Sequence, residues 1–204
     1  VAQINSGTAD LVGGHVEFTF GETVTGAELY DSISNMQIKY DISERQCAKT
    51  ANLFIHRRVI ESIGVFPAQN QSGEDVIWTK RATAAGFRLC IAPEAVVQHP
   101  ARSYKELIKK QIRVGRGQIP ARIDAGMTKW KIAKDTCKLL KPPPRKRITS
   151  CIDRNKLLLE KSNQSKAWYG CYCARLASLW GRLSYIFSKL SMKDSSLCIY
   201  MMSL

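Results

Sequence analysis

The chain lacks the features that mark membrane-spanning, secreted and zinc-binding proteins. It contains no run of about 18 apolar residues, so no segment is expected to cross a bilayer. No basic region leads into an apolar stretch behind Val1, so no secretory signal is expected. The seven cysteines form an odd set without C-x-x-C spacing, and the nearest pair is Cys171 and Cys173. Cytosolic thiols therefore fit the sequence better than a disulfide framework.

Basic residues are concentrated in the second half of the chain. Residues 1–100 carry 8 Lys and Arg against 11 Asp and Glu, whereas residues 101–204 carry 23 against 6. An excess of this size predicts an anionic partner for the second half, and that partner is a nucleotide diphosphate, an anionic membrane or a nucleic acid. Charge alone leaves the three open.

Apolar periodicity predicts alternating strands and helices as far as residue 117. The first strand is interrupted by Gly13 and Gly14. The capping box of Ser103 and Glu106 begins a helix that is expected to end at Gly115 and Gly117. The other elements are strands over residues 10–20, 87–91 and 95–99 and helices over residues 27–40, 57–63 and 73–85.

Glu74 and Asp75 are adjacent carboxylates in the first turn of the helix predicted after Ser72. One interpretation is structural, because Asp75 completes a capping box with Ser72 and both acids complement the helix dipole. The other is catalytic, because a positioned carboxylate activates a weakly nucleophilic hydroxyl group as a general base. The two residues alone do not decide between these interpretations.

The order of motifs between residues 47 and 117 resembles the acceptor-side half of family-2 glycosyltransferases, which have a GT-A fold. The segments that carry the resemblance are C-A-K-T-A-N-L-F-I-H-R-R at 47–58, G-E-D-V-I-W-T-K-R at 73–81, A-V-V-Q-H-P at 95–100 and I-R-V-G-R-G at 112–117. It covers roughly residues 8–120 and implies an α/β fold. The expected architecture is a partial GT-A-type mixed sheet flanked by helices, followed by a basic helical C-terminal extension.

This resemblance and the composition together predict three parts of the chain. They are a partial catalytic domain at 1–120, a basic Pro/Lys-rich linker at 121–165 and an amphipathic helical tail at 166–204. The linker prediction depends on the segment P-P-P-R-K-R at 142–147, which is typical of extended polyproline structure.

The resemblance also implies roles for individual residues. Asp75 would take the proton of an acceptor hydroxyl during a single inverting displacement, and Glu74 would orient the acceptor or the base. Asn52 matches a position that lines the acceptor side, as do Gly13 and Gly14. The implied partners are a nucleotide-sugar donor and a carbohydrate or lipid-linked acceptor.

His99, Arg113 and Arg116 each have a functional and a structural interpretation. His99 ends a strand, either as a hydrogen-bonded structural residue or, by resemblance, as a ligand of a divalent Mg²⁺ or Mn²⁺ ion. The two arginines are either a solvated basic helix end or a cationic loop that closes over the diphosphate. No Trp follows Gln111 and Arg113, whereas processive relatives have Q-x-x-R-W, so a single-transfer enzyme is expected.

The resemblance makes one absence informative. Enzymes of this type hold the donor with an N-terminal βαβ half and an Asp-x-Asp metal site, but neither Asp10 nor Asp31 has a second Asp two positions away. The rest of the metal site is therefore expected outside this sequence. We expect the chain to be part of a longer enzyme and to be inactive alone, with an unpaired sheet edge.

The basic tail leaves two placements open for residues 168–190. Their apolar stripe fits a helix lying on an anionic membrane, and equally a helix packed on the catalytic domain. The stripe consists of Leu176, Leu179, Trp180, Leu183, Ile186, Phe187 and Leu190. Cations at intervals of seven share another face, and they are Arg175, Arg182 and Lys189. Three aromatic residues would suit the headgroup region of a membrane, namely Trp168, Tyr169 and Tyr172. A cytoplasmic protein is expected, with peripheral contact at the inner face of the membrane as the further expectation. The alternative to an enzyme is a non-catalytic basic protein that binds an anionic membrane or nucleic acid, and nucleic acid is the less favoured partner.

Overall fold

The computed structural model describes residues 2–66 and 73–201, with side chains through residue 189. The described residues form one mixed sheet in the order β2–β1–β3. The strands are β1 (Leu11–Thr19), β2 (Leu53–Ile55) and β3 (Leu89–Pro100). β1 pairs antiparallel with β2 and parallel with β3. The α/β class and the mixed sheet flanked by helices, both predicted from the sequence, are confirmed.

The third strand is longer than the sequence pattern predicts. Two strands separated by Pro93 were expected, but Leu89–Pro100 is one strand. Opposite it, Gly14 pairs with Ala92 and His15 pairs with Val96, so three residues of β3 bulge out at Pro93. Because proline has no N–H to donate, it interrupts the ladder at this point, and pairing resumes beyond the bulge.

Short helices connect the strands of the first hundred residues. They are α1 (Ala2–Asn5), α2 (Gly26–Ser34), α3 (Ile38–Ser43), α4 (Arg57–Ile63) and α5 (Glu74–Ala84). The single helix expected over 27–40 is divided into α2 and α3, with Met36 between them at a φ of 47°. The bounds predicted for α4 agree with the structure, and Gly64 ends it at a φ of 79°. Ser72, the predicted cap of α5, lies outside the described residues.

The helix that follows β3 passes through the glycines that were expected to stop it. α6 (Tyr104–Asp124) begins at the predicted capping box of Ser103 and Glu106 and continues past Gly115 and Gly117. Gly115 faces another helix so closely that a Cβ on it would lie 2.2 Å from the carbonyl oxygen of Ser178. The glycine serves close helix packing, and the prediction of a glycine-rich loop here is wrong.

The last third of the chain is folded around a long helix. The elements are α7 (Lys129–Cys137), α8 (Lys146–Thr149), α9 (Lys161–Met201) and 3₁₀ turns at Lys138–Leu140, Ile152–Arg154 and Lys156–Leu159. The segment predicted as a linker therefore contains helices and turns, and it buries Ile132, Ile148 and Leu158. Widely spaced apolar residues of this kind give no clear periodicity, which is why composition alone indicated a linker.

One hydrophobic core joins all three predicted parts of the chain. Leu29 and Leu107 from the first part pack with Ile148 and Leu158 from the second and with Cys171 from the third. α6 and α9 run in the same direction, since their contacts advance together from Tyr104 against Tyr169 to Arg116 against Ser184. The boundaries at 120 and 165 stay predictions, but the structure joins the parts through this shared core.

Candidate active site

Helix α5 carries the adjacent acids Glu74 and Asp75. Trp78 and Thr79, one turn later, fix the position of the helix. The indole of Trp78 is fully buried, lies 4.4 Å from the ring of Phe66 and donates Nε1–H to the carbonyl oxygen of Gly64 at 2.8 Å. Thr79 is equally buried, and its Oγ1 accepts the N–H of Ala48 at 3.0 Å. The two anchors hold the first turn of α5 at a defined place on the fold.

Glu74 and Asp75 are the first two residues of α5 and are both half-buried. The helix begins at Gly73, whose left-handed conformation (φ 87°) suits a residue without a Cβ. Oδ1 of Asp75 accepts the N–H of Val76 at 2.8 Å, and the carbonyl oxygen of Asp75 accepts the hydroxyl of Thr79 at 2.7 Å. The carboxylate thus lies at the end of a helix where negative charge is favoured.

His99 lies near the carboxyl ends of the parallel strands β1 and β3, opposite Phe18 in the register. The two rings meet edge to face with centroids 5.6 Å apart. Nδ1 of His99 lies 2.8 Å from the carbonyl oxygen of Pro100, which can only accept, so Nδ1 carries the proton. In the neutral imidazole this leaves the lone pair of Nε2 for a cation or a proton, the arrangement that metal-bound histidines commonly have.

A complete metal site is not formed by the residues that the structure describes. Among them, no group of three His, Cys, Asp or Glu side chains is placed to hold a metal ion. His99 could supply one ligand through Nε2, and the remaining ligands would have to come from elsewhere. The divalent metal therefore stays a prediction.

Asn52, Gly13 and Gly14 form the junction of the three strands. The Nδ2 of Asn52 donates to the carbonyl oxygens of His15 at 2.9 Å and Ala95 at 2.7 Å, so it ties β1 to β3 at the bulge. A Cβ on Gly14 would lie 2.2 Å from that Nδ2. Gly13 is packed in the same way, because a Cβ there would lie 2.5 Å from Cδ1 of Ile42. These packing and hydrogen-bond contacts give each of the three residues a structural role. Their role in acceptor binding stays a prediction.

The two arginines predicted to bind diphosphate are exposed residues in the interior of α6. Arg116 donates Nε–H to Oγ of Ser184 at 3.0 Å and so contacts α9. Arg113 is near enough to Lys110, one turn earlier, to lower its pKa. The helix holds both arginines, so the flexible cationic loop predicted from the sequence is not present at this point.

A charged cluster around Asp31 was not predicted from the sequence. The carboxylate of Asp31 is fully buried in α2, where Nη1 of Arg102 lies 3.0 Å from Oδ2 and Nζ of Lys110 lies 3.8 Å from Oδ1. Arg102 and Lys110 are 71 or more positions away from Asp31, and no local pattern connects them to it. The signal that sequence reasoning passed over is an Asp on the buried face of an amphipathic helix, which requires a cationic partner.

An open cavity lies beside the second half of β1. Its volume is about 700 Å³, within the range of small-molecule sites. Phe18, which contacts His99, and Phe20 line it from the strand, Tyr40 lines it from α3, and Arg154 and Lys156 line it from the 3₁₀ turns. The cavity therefore adjoins the carboxyl ends of the parallel strands, the usual location of ligands in α/β sheets.

The structure buries one of the three cations that were predicted to share a face of α9. Of Arg175, Arg182 and Lys189, the side chain of Arg182 is buried and donates Nη2–H to Oε1 of Gln118 at 2.6 Å. Small neighbours on α9, such as Gly181, bring α6 close enough to cover it. Leu190, the last residue of the predicted apolar stripe, lies outside the described side chains.

The chain is similar to a protein of Haloferax volcanii named Glycosyltransferase AglE. The two are 42% identical over 189 residues, which is 91% of this chain and 62% of the relative. The chain thus spans less than two thirds of the length of that relative. Because so little of the chain lies outside the match, residues 74–116 fall within it wherever the match begins. No protein-family model matches the chain, so family 2 and the GT-A fold stay predictions.

Proposed function

We propose that this chain provides the acceptor-side part of a family-2, GT-A-type glycosyltransferase that uses a nucleotide-sugar donor. The observation that carries the proposal is the similarity to a protein named glycosyltransferase over nearly the whole chain. The geometry supports it, because the acid pair sits on a helix whose first turn is fixed by two buried side chains. The proposed acceptor is a carbohydrate or a lipid-linked acceptor.

In the proposed reaction, Asp75 is the general base. Its carboxylate takes the proton of an acceptor hydroxyl while that oxygen attacks the anomeric carbon from the face opposite the diphosphate. The new C–O bond forms as the bond to the diphosphate oxygen breaks, and the electron pair leaves with the diphosphate, so the configuration inverts. Oδ1 is held by the N–H of Val76, and we assign the transferred proton to Oδ2.

Glu74 and His99 have supporting roles in this proposal. Glu74, at the first position of α5, orients the acceptor or the base. Nε2 of His99 would be one ligand of a divalent cation, Mg²⁺ or Mn²⁺, which would neutralise charge on the diphosphate. The described residues do not complete the site of this cation.

A chimera tests the proposal. The segment of AglE that matches this chain is replaced by the chain, and incorporation of labelled sugar from nucleotide-sugar donors is measured. Asp75→Asn should lower transfer about 10²- to 10⁴-fold, the usual contribution of a general base, while donor binding persists. The control Glu61→Gln changes an exposed acid that pairs with Arg57 at 2.8 Å, and it should leave transfer unchanged. Full transfer by Asp75→Asn would contradict the proposal.

Peripheral membrane contact is a second proposal, supported by an exposed apolar stripe on α9. Tyr169, Leu176, Trp180 and Phe187 recur at intervals of seven, four and seven residues, so they share one side of the helix, and all four are exposed. Exposed cations lie nearby, among them Arg116 beside Ser184.

Trp168, also predicted to lie in the headgroup region, is instead half-buried and donates Nε1–H to the carbonyl oxygen of Pro143 at 2.6 Å. Among the described residues, no helix is both long and apolar enough to cross a bilayer.

Vesicle co-sedimentation tests this second proposal. Binding to vesicles containing anionic lipid should weaken in the variant Trp180→Ala. The control is Trp130→Ala, because Trp130 on α7 is more exposed (79% against 61%) and lies outside the stripe. An equal loss of vesicle binding in both variants would contradict a role of the stripe in membrane contact. Binding that is equally strong to RNA and to vesicles would favour the alternative of a basic nucleic-acid-binding protein.

A further inference from the structure

The cluster around Asp31 contains more positive charge than its carboxylates can neutralise. Asp31 is shared by Arg102 and Lys110. The nearby Asp41 is shared by Lys49, at 3.3 Å, and Arg45, at 2.7 Å. Two carboxylates are therefore in contact with four cations, which gives these six groups a net charge of about +2. Arg113 adds positive charge near Lys110, and Glu106, whose pKa Arg102 helps to lower, adds negative charge near Arg102.

The pKa of Lys110 reflects its burial first and the neighbouring cations second. Burial and the neighbouring Arg102 guanidinium lower its pKa to about 8, with Lys49 and Arg113 acting in the same direction and Asp31 opposing them. Because the Asp31 carboxylate does not restore the ordinary pKa of this ammonium group, further negative charge beside it would be favourable. An anionic ligand would supply that charge.

The cationic side chains are built into the fold and remain accessible. The side chains of Lys49, Arg102 and Lys110 are 22%, 23% and 20% exposed, so each stem is packed while part of the side chain reaches solvent. They come from three separate elements: the segment before β2, the turn after β3 and the first half of α6. Arg102 and Lys110 converge on Asp31, and Lys49, which contacts Asp41, is near enough to Lys110 to lower its pKa. Cations gathered from separate elements in this way are what a fixed anion site requires.

The cluster is also linked to the proposed active site. Lys49 directly follows Ala48, whose main-chain N–H is bonded to Thr79 one turn after Asp75. Arg102 comes three residues after His99. The cluster is thus linked to the helix that carries the base through a hydrogen bond, and to the strand end that carries the histidine through a short covalent segment.

We propose that Lys49, Arg102 and Lys110 form a binding site for a phosphate-bearing anion. A diphosphate is favoured because it carries more than one negative charge and can contact several of the three cations at once. Its identification with the diphosphate leaving group of a sugar donor rests on the proposed function, whereas anion binding itself does not. In that role the site would stabilise the charge that develops on the leaving group.

Binding of inorganic pyrophosphate to the full chain tests the proposal by calorimetry. Lys110→Gln and Lys49→Gln should each weaken binding at least about tenfold, the effect of losing one charge-assisted contact. Lys110→Arg keeps the charge and should stay within about threefold of the wild type. The control Lys105→Gln removes the same charge from an exposed position on the same helix and should change the affinity little. Circular dichroism checks that every variant is folded.

Equal weakening by Lys105→Gln and Lys110→Gln would overturn the proposal, because it would show only the overall charge of the chain. The pH series is a second test, since raising the pH from 7 to 9 makes pyrophosphate more negative but deprotonates Lys110. Affinity should therefore fall in the wild type and not in Lys110→Arg. Asp31, Lys49, Arg102 and Arg113 face Lys110 in both proteins, so their contributions cancel in this comparison.

Two further arms identify the source of the phosphate and separate this proposal from the first. Pyrophosphate should bind Asp75→Asn as it binds the wild type, so a failure of transfer with intact binding would affect only the proposed function. Vesicles containing phosphatidic acid provide the lipid phosphate. If Lys110→Gln weakens vesicle binding but not pyrophosphate binding, the assignment to a soluble diphosphate is overturned.

Discussion

Gly181 of α9 lies against the main chain of Ile112 in α6, and a Cβ on Gly181 would lie 2.1 Å from the carbonyl oxygen of Ile112. Backbone cannot move aside as a flexible side chain can, so the two helices approach as closely as they do because position 181 has no side chain. Gly115 makes the reciprocal approach from α6 to α9. The C-terminal helix is thereby part of the fold that carries the candidate site.

We predict that Gly181→Ala destabilises the protein. The added methyl group must push α6 and α9 apart, and overpacking of this kind costs about 1–3 kcal/mol. The free energy of unfolding from urea denaturation measures it. The matched control is Gly117→Ala in α6, where a Cβ would meet nothing within 4 Å. That substitution should stabilise by up to about 1 kcal/mol, because alanine is the better helix former. Equal effects of the two substitutions would contradict the close approach.

Asp10 should support stability at neutral pH and lose that contribution in acid. Burial alone would raise its pKa, but the N–H of Arg88 and the guanidinium of Arg58 together bring the pKa below its usual value. A lowered pKa in the folded state means that the unfolded chain binds the proton more readily. The contribution is therefore present above the unfolded pKa of about 3.9 and disappears as the pH falls through the folded value.

The variant Asp10→Asn tests this linkage. It should lower the free energy of unfolding by about 1–3 kcal/mol at pH 7 and flatten its decline below pH 5, since a hydrogen-bonded carboxylate is lost. Urea denaturation at a series of pH values gives both quantities. Glu61→Gln serves as the control, because Glu61 is exposed and pairs with Arg57 across one helix turn. An unchanged acid slope in Asp10→Asn would show that other groups cause it.

Asn52 should contribute more to stability than to acceptor binding. Asn52→Ala leaves the carbonyl oxygens of His15 and Ala95 without their donor at the bulge between β1 and β3. We expect the free energy of unfolding to fall by about 2–3 kcal/mol, the effect of losing two buried hydrogen bonds. In the chimera with AglE, the KM for the acceptor should change little once the variant is folded. A large rise in KM with normal stability would instead favour the acceptor-binding role.

The sequence predicted those features of the fold that depend on local patterns. The bounds of α4, the capping box of Ser103 and the alternation in β1 all follow from residues within a few positions of one another. Gly115 was misread because a glycine that permits close packing looks, in sequence, like one that ends a helix. Its partner Ser178 is 63 positions away, and no local pattern shows such a contact.

The same distinction holds for the candidate site. The acid pair on α5 could be found from its position at a helix start, as could His99 at the end of a strand. The cluster of Asp31, Arg102 and Lys110 could not, because its members meet only after α2 and α6 pack together. Local patterns therefore indicated the proposed base but not this cluster, and the predicted diphosphate-binding role of Arg113 and Arg116 stays a prediction.

Thr79 offers a test that connects the fold to the proposed chemistry. Its hydroxyl bonds the carbonyl oxygen of Asp75 and the N–H of Ala48, so it fixes the first turn of α5. Thr79→Val keeps the shape and removes these bonds, which should lower the free energy of unfolding by about 1–2 kcal/mol. If Asp75 is the base, the kcat of the chimera should fall up to about 10²-fold with little change in the KM for the donor.

The matched control for this substitution is Thr83→Val, one turn further along α5. The hydroxyl of Thr83 bonds the carbonyl oxygen of Gln46 at 3.0 Å, so it also ties the helix to the preceding segment, but it lies far from the acid pair along the helix. Thr83→Val should cost some stability and leave kcat unchanged. If both variants lower kcat equally, the loss reflects a general loosening of α5. That result would not support Asp75 as the base.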